Sequence, residues 1–278
     1  MDVDVGVVAQ KGNERAAALA GTVRDRLETA GAAVALDRAT AGSLGTDGVD
    51  VDAMAARDLV VSIGGDGTFL FAARGARGTP VLGVNLGEVG FLNAVSPEEA
   101  VDVVLAEVEA FRVGEATVRE VPRLAATCDG WESEHAANEV VVQGDRRGHG
   151  GGVDCEVRVD GSPYASGHAD GVLVSTPTGS TAYNLSERGP LVHPSVDGMV
   201  VTGMSMDAAD GMPPLVVAPD ATVSVALTAA AADAVVISDG RDPHPVAVPT
   251  EVRIERADPP MRVAGPDVDF FEALNKLE

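Results

Sequence analysis

The sequence predicts a two-part α/β protein: an N-terminal doubly wound parallel-sheet domain, a C-terminal β-rich domain, and a last helix packing back on the first. Three observations carry this. Over residues 1–112, apolar strand-like runs alternate with helix-like segments, the pattern of a parallel sheet. From about Arg119 to Val263, short Val-rich runs are separated by Gly, Pro and Asp, which means many short strands. Residues 267–277 are helical in pattern, with Phe270, Phe271, Leu274 and Leu277 on one face. The expected division is 1–112 joined by 267–278, against 113–266.

Residues 3–8 read as a first buried strand. Asn13 caps a helix running to about Ala30, with Ala16, Leu19, Ala20, Val23 and Leu27 at helical spacing, and Gly31 stops it. Residues 33–36 form a second strand, and 40–52, rich in Gly, Thr and Asp, read as a loop. Residues 59–63 are a third strand and 68–77 the helix after it. Pro80 then opens a fourth strand, 81–84. Ser96, Pro97 and Glu99 spell a helix start, with a Ser cap, Pro at the first position and Glu three residues after the cap, for a helix to about Phe111. In the second part the expected strands are 139–143, 153–159, 171–175, 199–203, 215–218, 222–227, 234–237 and 251–254. A glycine-rich loop at 148–152 lies between two of them.

Composition narrows the function. The 278 residues include 43 acidic and 20 basic ones, a net charge of −23, and the lysines are Lys11 and Lys276 alone. Thermophile surfaces gain lysine along with glutamate, so this acidic, lysine-poor chain reads instead as one that works in high salt, where self-repulsion is screened. A nucleic-acid partner is disfavoured, because duplex binding needs a basic surface. No apolar run reaches the roughly 18 residues of a membrane span, and no signal peptide is seen, so a cytoplasmic location is expected. Cys128 and Cys155 belong to no CxxC and read as buried free thiols. The histidines show no metal-ligand spacing, and no metal-ligating residues are assigned.

Three stretches concentrate polar chemistry. The first is Gly64-Gly65-Asp66-Gly67-Thr68, between the third strand and its helix. Such a turn presents backbone N–H groups and the positive end of a helix dipole, which suits phosphate. The three glycines are expected to let the backbone approach a ligand and to take φ > 0. Asp66 is the odd residue, since a carboxylate does not hold phosphate unless it also holds a metal or takes a proton. The second is Asp170 followed, after a strand, by Thr176-Pro177-Thr178-Gly179-Ser180-Thr181-Ala182-Tyr183, a hydroxyl-rich run suited to the polar edges of a ribose or phosphate. The third is Asn138-Glu139, at the mouth of an apolar strand, where both side chains can bond a sugar diol or an adenine edge. A further glycine-bearing turn, Asn85-Leu86-Gly87-Glu88-Val89-Gly90-Phe91-Leu92, follows the fourth strand. There is no GxxxxGK[ST] loop, no HRD…DFG set, no GxGxxG after a strand and no GxSxG elbow, and neither lysine is expected to clamp a phosphate.

Taken in order, GGDGTFL, NLGEVGFL, ANEVVV and DGVLVSTPTGSTAYNLSERGPLVHP closely resemble the NAD kinase family over about residues 58–203. GGDGT alone is shared with diacylglycerol and sphingosine kinases; TPTGSTAY with the upstream NE pair is specific to NAD kinases. The resemblance implies phosphorylation of the 2′-hydroxyl on the adenosine ribose of NAD, from ATP or polyphosphate, with a divalent ion, Mg²⁺ being the expected one, bridging the donor phosphates. It implies that Asp66 is the proton acceptor and touches the dinucleotide with Gly67, while Gly64, Gly65, Gly67 and Thr68 form the phosphate loop. It places NAD contacts at Asn138, Glu139, His149, His168, Asp170, Thr181, Ala182, Tyr183, Asn184, Leu185, Ser186 and Arg241. A homodimer or homotetramer is usual in the family. Two departures are visible. The family's His-Ser-Leu-x-Asn-Arg-Pro-type segment is here Met204 to Pro214, without its histidine and arginine, and Ser186 is followed by Glu187-Arg188-Gly189. The competing readings are a GGDGT kinase acting on another hydroxyl and a catalytically silent dinucleotide-binding regulator.

Overall fold

The structure, a computed structural model, describes residues 2–87, 90–148, 150–207, 213–230 and 233–275. It falls into two compact units, Met1–Val121 with Pro259–Glu278, and Pro122–Asp258. The first unit carries β1 (Asp4–Ala9), α1 (Glu14–Thr29), β2 (Ala33–Leu36), α2 (Arg38–Leu44), β3 (Leu59–Gly64), α3 (Asp66–Ala76), β4 (Val81–Asn85) and α4 (Ala100–Val113). Its strands run parallel in the order β2-β1-β3-β4. All six residues of β3 and all five of β4 are buried, as in a parallel sheet covered on both faces. Because β1, β3 and β4 are neighbours, the turns that follow them leave from one edge of the sheet.

The core of this unit sets Val5, Val7, Leu59, Val61, Ile63, Leu82 and Val84 of the sheet against Ala16, Ala20, Val23 and Leu27 of α1 and Val104 and Val108 of α4. Each fully buried Val or Leu contributes about 1.5–3 kcal/mol relative to exposure. Helix α1 starts where the sequence places it: Asn13 Oδ1 accepts the N–H groups of Arg15 (3.0 Å) and Ala16 (3.2 Å). Gly31, at φ 79°, turns the chain back toward β2. The Ser96–Glu99 box also forms, the Ser96 hydroxyl donating to the Glu99 carboxylate (2.6 Å), but the regular helix begins only at Ala100.

The expected loop at 40–52 holds only over 45–50, with helical structure on either side. Asp37 caps α2 by accepting from Ala39 N–H (3.0 Å) and Thr40 N–H (3.2 Å). The buried Thr40 hydroxyl accepts the Ala9 N–H (2.8 Å), tying the helix to the end of β1. A 3₁₀ turn, Val51–Ala56, follows and buries Met54. This turn packs closely on α3: a Cβ on Gly75 would lie 2.5 Å from the Val51 carbonyl oxygen.

In the second unit, β5 (Val118–Cys128) leads in, followed by β6 (Trp131–Glu132), β7 (Glu139–Gly144), β8 (Val153–Val159), β9 (Ser162–Ala169) and β10 (Gly171–Ser175). Then come α5 (Tyr183–Ser186), β11 (Met199–Met204), β12 (Leu215–Val217), β13 (Val223–Ala230), β14 (Ala234–Ser238) and β15 (Arg241–Val246). Strand β16 (Thr250–Ala264) leads out, and α6 (Phe270–Leu274) lies in the first unit. One antiparallel sheet has the order β12-β11-β10-β7-β14-β15. In the other, β13 pairs antiparallel with β16 and β8, and β8 with β9. Alternate residues of both sheets, among them Val140, Val142, Val172 and Val174 against Val153, Val157, Val223, Val225 and Ile254, share one core. Strands β9 and β15 were not expected, because Gly, Ser, Pro and His interrupt them. Both are edge strands, where such residues are tolerated.

The last helix is shorter than expected and presents a different face. Asp269 caps it, Phe270 lies with its ring centroid 6.0 Å from that of Phe91 in the same unit, and Ala273 is buried. Phe271 is 69% exposed rather than inward, and Lys276 and Leu277 lie outside the described residues. No helix among the described residues is long and apolar enough to cross a membrane.

Ion pairs such as Arg38–Asp50 and Arg77–Asp52 are exposed and individually worth little, so they do not offset a net charge of −23. We expect the melting temperature to rise steadily as KCl is raised from about 0.1 M to about 1 M, where the Debye length falls from about 10 to about 3 Å. Differential scanning fluorimetry reads this directly, and a flat or falling profile would contradict it.

Candidate functional site

The candidate residues fall in both units, and each group is built inside its own unit. In the first, Gly64 ends β3, Gly65 stands at the N-cap of α3, and Asp66 and Gly67 open the helix. The glycines serve space rather than handedness. None of Gly64, Gly65 and Gly67 is among the residues with positive φ, which corrects the expectation, and Gly65 sits at φ −96°. A Cβ on Gly64 would lie 2.5 Å from Thr68 Oγ1 and 2.8 Å from Thr68 Cβ, so only glycine lets the strand end pack on the first helical turn. A Cβ on Gly65 or Gly67 would meet nothing within 4 Å, and both residues are exposed. The start of α3, with its unpaired N–H groups and positive dipole end, is therefore open.

Asp66 does not project freely from this turn. Its Oδ2 accepts the Phe91 N–H (3.1 Å), and its Oδ1 accepts the Leu92 N–H (3.2 Å) and the Asn93 side-chain amide (2.8 Å). The second glycine-bearing turn thus folds onto the first. Gly90 is needed for this, since a Cβ there would fall on Asp66 Oδ1 and lie 3.0 Å from its Cγ. Asn93 is fully buried and reaches the carboxylate from behind. It was not singled out in the sequence; its signal would have been an amide directly after an apolar run. Glu88 and Val89 of the same turn lie outside the described residues.

Lys11 stands in the turn between β1 and α1. The Gln10 N–H donates to the Ile63 carbonyl (2.8 Å), and Gln10 Cβ would be 3.1 Å from a Cβ on Gly64. Lys11 follows directly, so it lies at the sheet edge that carries the Gly64 turn.

In the second unit, Asn138 and Glu139 enter β7, and Glu139 is opposite Ser175 of β10. The hydroxyl-rich run after β10 closes on this strand entry. Thr176 N–H donates to the Asn138 carbonyl (2.9 Å) and the Thr176 hydroxyl to the Ala137 carbonyl (2.6 Å). A Cβ on Gly179 would fall on the Asn138 carbonyl. The Ser180 hydroxyl donates to the Pro177 carbonyl (2.7 Å) and accepts the Val192 N–H (3.0 Å). Much of the run's polarity is consumed in holding its own shape.

Glu139 is buried, and its Oε2 has no hydrogen-bond partner among the described residues. Burial pushes its carboxyl up to about 7, the charge of Asp239 adds to the rise, and the Tyr183 backbone N–H draws it back. Asp239, absent from the sequence-based site, lies in the β14–β15 turn and accepts N–H groups from Ala137 (2.9 Å), Asn138 (2.8 Å) and Glu139 (3.3 Å).

Tyr183 opens α5 and packs on Val141, Leu173, Met204 and Ile237, the face of the six-stranded sheet away from the shared core. Arg147 donates to its hydroxyl. Asp170 Oδ1 accepts the Gly148 N–H (2.6 Å). Because Gly171 is opposite Gln143 and Ser175 opposite Glu139, Asp170 and Glu139 sit at opposite ends of β10. His168 is engaged at both ring nitrogens, Nδ1 with Asp154 (2.8 Å) and Nε2 with the Gly151 carbonyl (2.9 Å). The Asp154 carboxylate raises its ionisation above the usual histidine value. Ala182, Leu185 and Ser186 belong to the same short segment, the Thr181 hydroxyl donates to the Thr178 carbonyl (3.1 Å), and Arg241 is exposed at the start of β15. His149 lies outside the described residues, as do 208–212 of the departing segment.

Asn184 is a fully buried tie. Its amide donates to the Ser180 (3.3 Å) and Pro190 (3.0 Å) carbonyls, its Oδ1 accepts the Thr202 hydroxyl (2.8 Å), and Gly189 abuts it. Asn184→Ala would leave these groups unpaired, at about 1–3 kcal/mol each at most. We expect the unfolding free energy from urea titration to fall by a total of about 2–4 kcal/mol, with unchanged secondary structure by circular dichroism.

No three His, Cys, Asp or Glu side chains among the described residues form a group that could hold a metal ion. Comparison with known proteins is consistent along the chain. Residues 5–110 match the ATP-NAD kinase N-terminal domain and residues 137–264 the ATP-NAD kinase C-terminal domain. An NAD kinase of Halorubrum lacusprofundi is 62% identical over 277 residues, covering 99% of this chain and 100% of that protein. Among solved structures, an NAD kinase from Archaeoglobus fulgidus in complex with ATP is similar at a TM-score of 0.76 and 25% identity, covering 99% of this chain and 96% of that one. A yeast NADH kinase complexed with NADH shares the fold at a TM-score of 0.84 and 21% identity, covering 99% of this chain and 87% of that one. With both family domains matched in order and a relative this similar end to end, the chain belongs to the NAD kinase family.

Proposed function

We infer that the protein transfers the terminal phosphoryl group of ATP, or of polyphosphate, to the 2′-hydroxyl of the adenosine ribose of NAD, giving NADP. The observation that carries the mechanism is the Asp66 carboxylate, fixed at the start of α3 by three N–H donors. A carboxylate has about four acceptor positions on its two oxygens. Oδ1 uses two and Oδ2 one, which leaves a position on Oδ2 for the ribose hydroxyl proton. The hydroxyl oxygen bonds to the terminal phosphorus, the bond to the bridging oxygen of the donor breaks, and the proton passes to Asp66. General-base assistance of this kind contributes typically about 10²–10⁴-fold, and positioning of the two substrates supplies most of the rest.

Gly64, Gly65, Gly67 and Thr68 offer the donor phosphates an open helix start. Asn138, Glu139, Asp170, Tyr183 and the segment from Thr181 to Ser186 bind NAD in this reading, with Asn184 supporting the segment from inside. The buried, unpartnered Glu139 Oε2 supports the assignment, because a ribose hydroxyl or an adenine amino group would satisfy it. A divalent ion, Mg²⁺ in this proposal, would neutralise charge on the donor phosphates when bound.

Asp66→Asn is expected to keep its fold and its NAD affinity while losing at least about two orders of magnitude in kcat. Purified protein in high salt with NAD, ATP and Mg²⁺, assayed for NADP, checks this. Near-wild-type turnover in the variant would remove Asp66 as the base.

A further inference from the structure

The turn between β14 and β15 is a two-residue hairpin, Asp239-Gly240, with φ 48° at Asp239 and 68° at Gly240. Asn and Asp are both favoured at the first position of such a turn. The turn alone therefore does not demand a carboxylate, yet three consecutive N–H groups, from Ala137, Asn138 and Glu139, converge on this one. The Asp239 N–H in turn donates to the Glu139 carbonyl (3.0 Å). Four hydrogen bonds join one side chain and its own backbone to the residues that carry the Asn138-Glu139 pair.

We propose that Asp239 is a positioning residue for NAD: it fixes the Asn138-Glu139 backbone so that the unpartnered oxygen of Glu139 is held ready for a hydroxyl or amino donor of the dinucleotide. This rests on the reading of the chain as an NAD-phosphorylating enzyme. The anion has a second effect. Its negative charge lies beside the buried Glu139 carboxyl and opposes ionisation there, in the same direction as burial. The other groups facing this cluster are Tyr183, whose backbone N–H favours the ionised form of Glu139, and the buried Arg123, which interacts with Asp239 and Glu134. An ionised Glu139 accepts two donors of a ribose diol, a protonated one offers less acceptor capacity. NAD uptake by the wild type should therefore improve as pH rises through about 7.

Asp239→Asn separates the roles. It suits the turn, keeps one acceptor oxygen, loses the bond from one N–H because its amide is a donor, and removes the charge. Apparent KM for NAD and, independently, the calorimetric Kd for NAD would be measured on the full chain across pH ~6 to ~8.5. We expect KM and Kd above pH ~8 to rise about tenfold, the loss of one charge-assisted hydrogen bond, with kcat within a few-fold. The pH midpoint of both should move to lower pH, because the opposing charge is gone. An unchanged midpoint, or a fall in kcat matching the rise in KM alongside a lowered melting temperature, overturns the proposal in favour of a merely structural turn. Asp239→Ala serves as the stronger variant if it folds; Asp239→Asn carries the test if it does not. Saturable NAD binding with no NADP formed would overturn the enzymatic reading alone, since the calorimetric midpoint still tests Asp239. Absence of NAD binding by the wild type overturns both.

Discussion

A carboxylate at the first turn of a helix, held by two backbone N–H groups and a buried amide, is the interaction that joins the first unit's two glycine-bearing turns. The sheet order makes it possible. Strands β3 and β4 are adjacent and parallel, with Gly64 opposite Asn85, so their two glycine-bearing turns emerge together. One supplies Asp66 and an open helix start. The other supplies Phe91, Leu92 and Asn93 to grip it. Gly90 and Gly83 permit the fit, the first by clearing the carboxylate and the second by clearing Asn93, whose Oδ1 would lie 2.5 Å from a Cβ on Gly83. A carboxylate built this way is oriented before any ligand arrives, which is what the base proposed for an in-line transfer would need.

The second unit solves a related problem in another way. Its apolar faces build a sandwich, and the polar residues collect where strands end and turns begin. Glu139 is kept in a buried place with one oxygen unsatisfied. In a folded chain that is a cost, and it is sustained by a rigid surround: Asp239 behind the backbone, Gly179 against the Asn138 carbonyl, and Asn184 locking the segment that follows. Contacts within the unit thereby fix where these polar groups stand.

How much of this was legible in the sequence follows from range. Strands with continuous apolar runs, and the helix capped by Asn13, declare themselves locally, and so do the glycine and hydroxyl stretches that the family shares. Edge strands β9 and β15 did not, since Gly167, Pro243 and Pro245 break the expected pattern and edge position excuses them. Helix α2 hid because its stability comes from Asp37, the buried Thr40 and contact with β1 rather than from its own propensity. At the site, Asp66 and Glu139 could be named from motif alone. Asn93 and Asp239 could not, because their meaning lies in contacts made across 27 and about 100 residues of chain. The glycines of GGDGT were expected to supply left-handed backbone, whereas they supply clearance. Composition alone does not distinguish the two uses.

The way the chain visits its units has a consequence for how it is made. Residues Pro122–Asp258 are contiguous, while the other unit is assembled from Met1–Val121 and Pro259–Glu278, with Val263 of β16 added beside Val81 of β4. During synthesis the inserted unit has all its strands in hand before its host does. Val81 must wait for a partner about 180 residues downstream, which at about 5–20 residues per second is on the order of ten to forty seconds. For that interval one edge of the parallel sheet is unfinished. An unpaired strand edge is a template for pairing with other chains, so the nascent chain is exposed to aggregation during that wait.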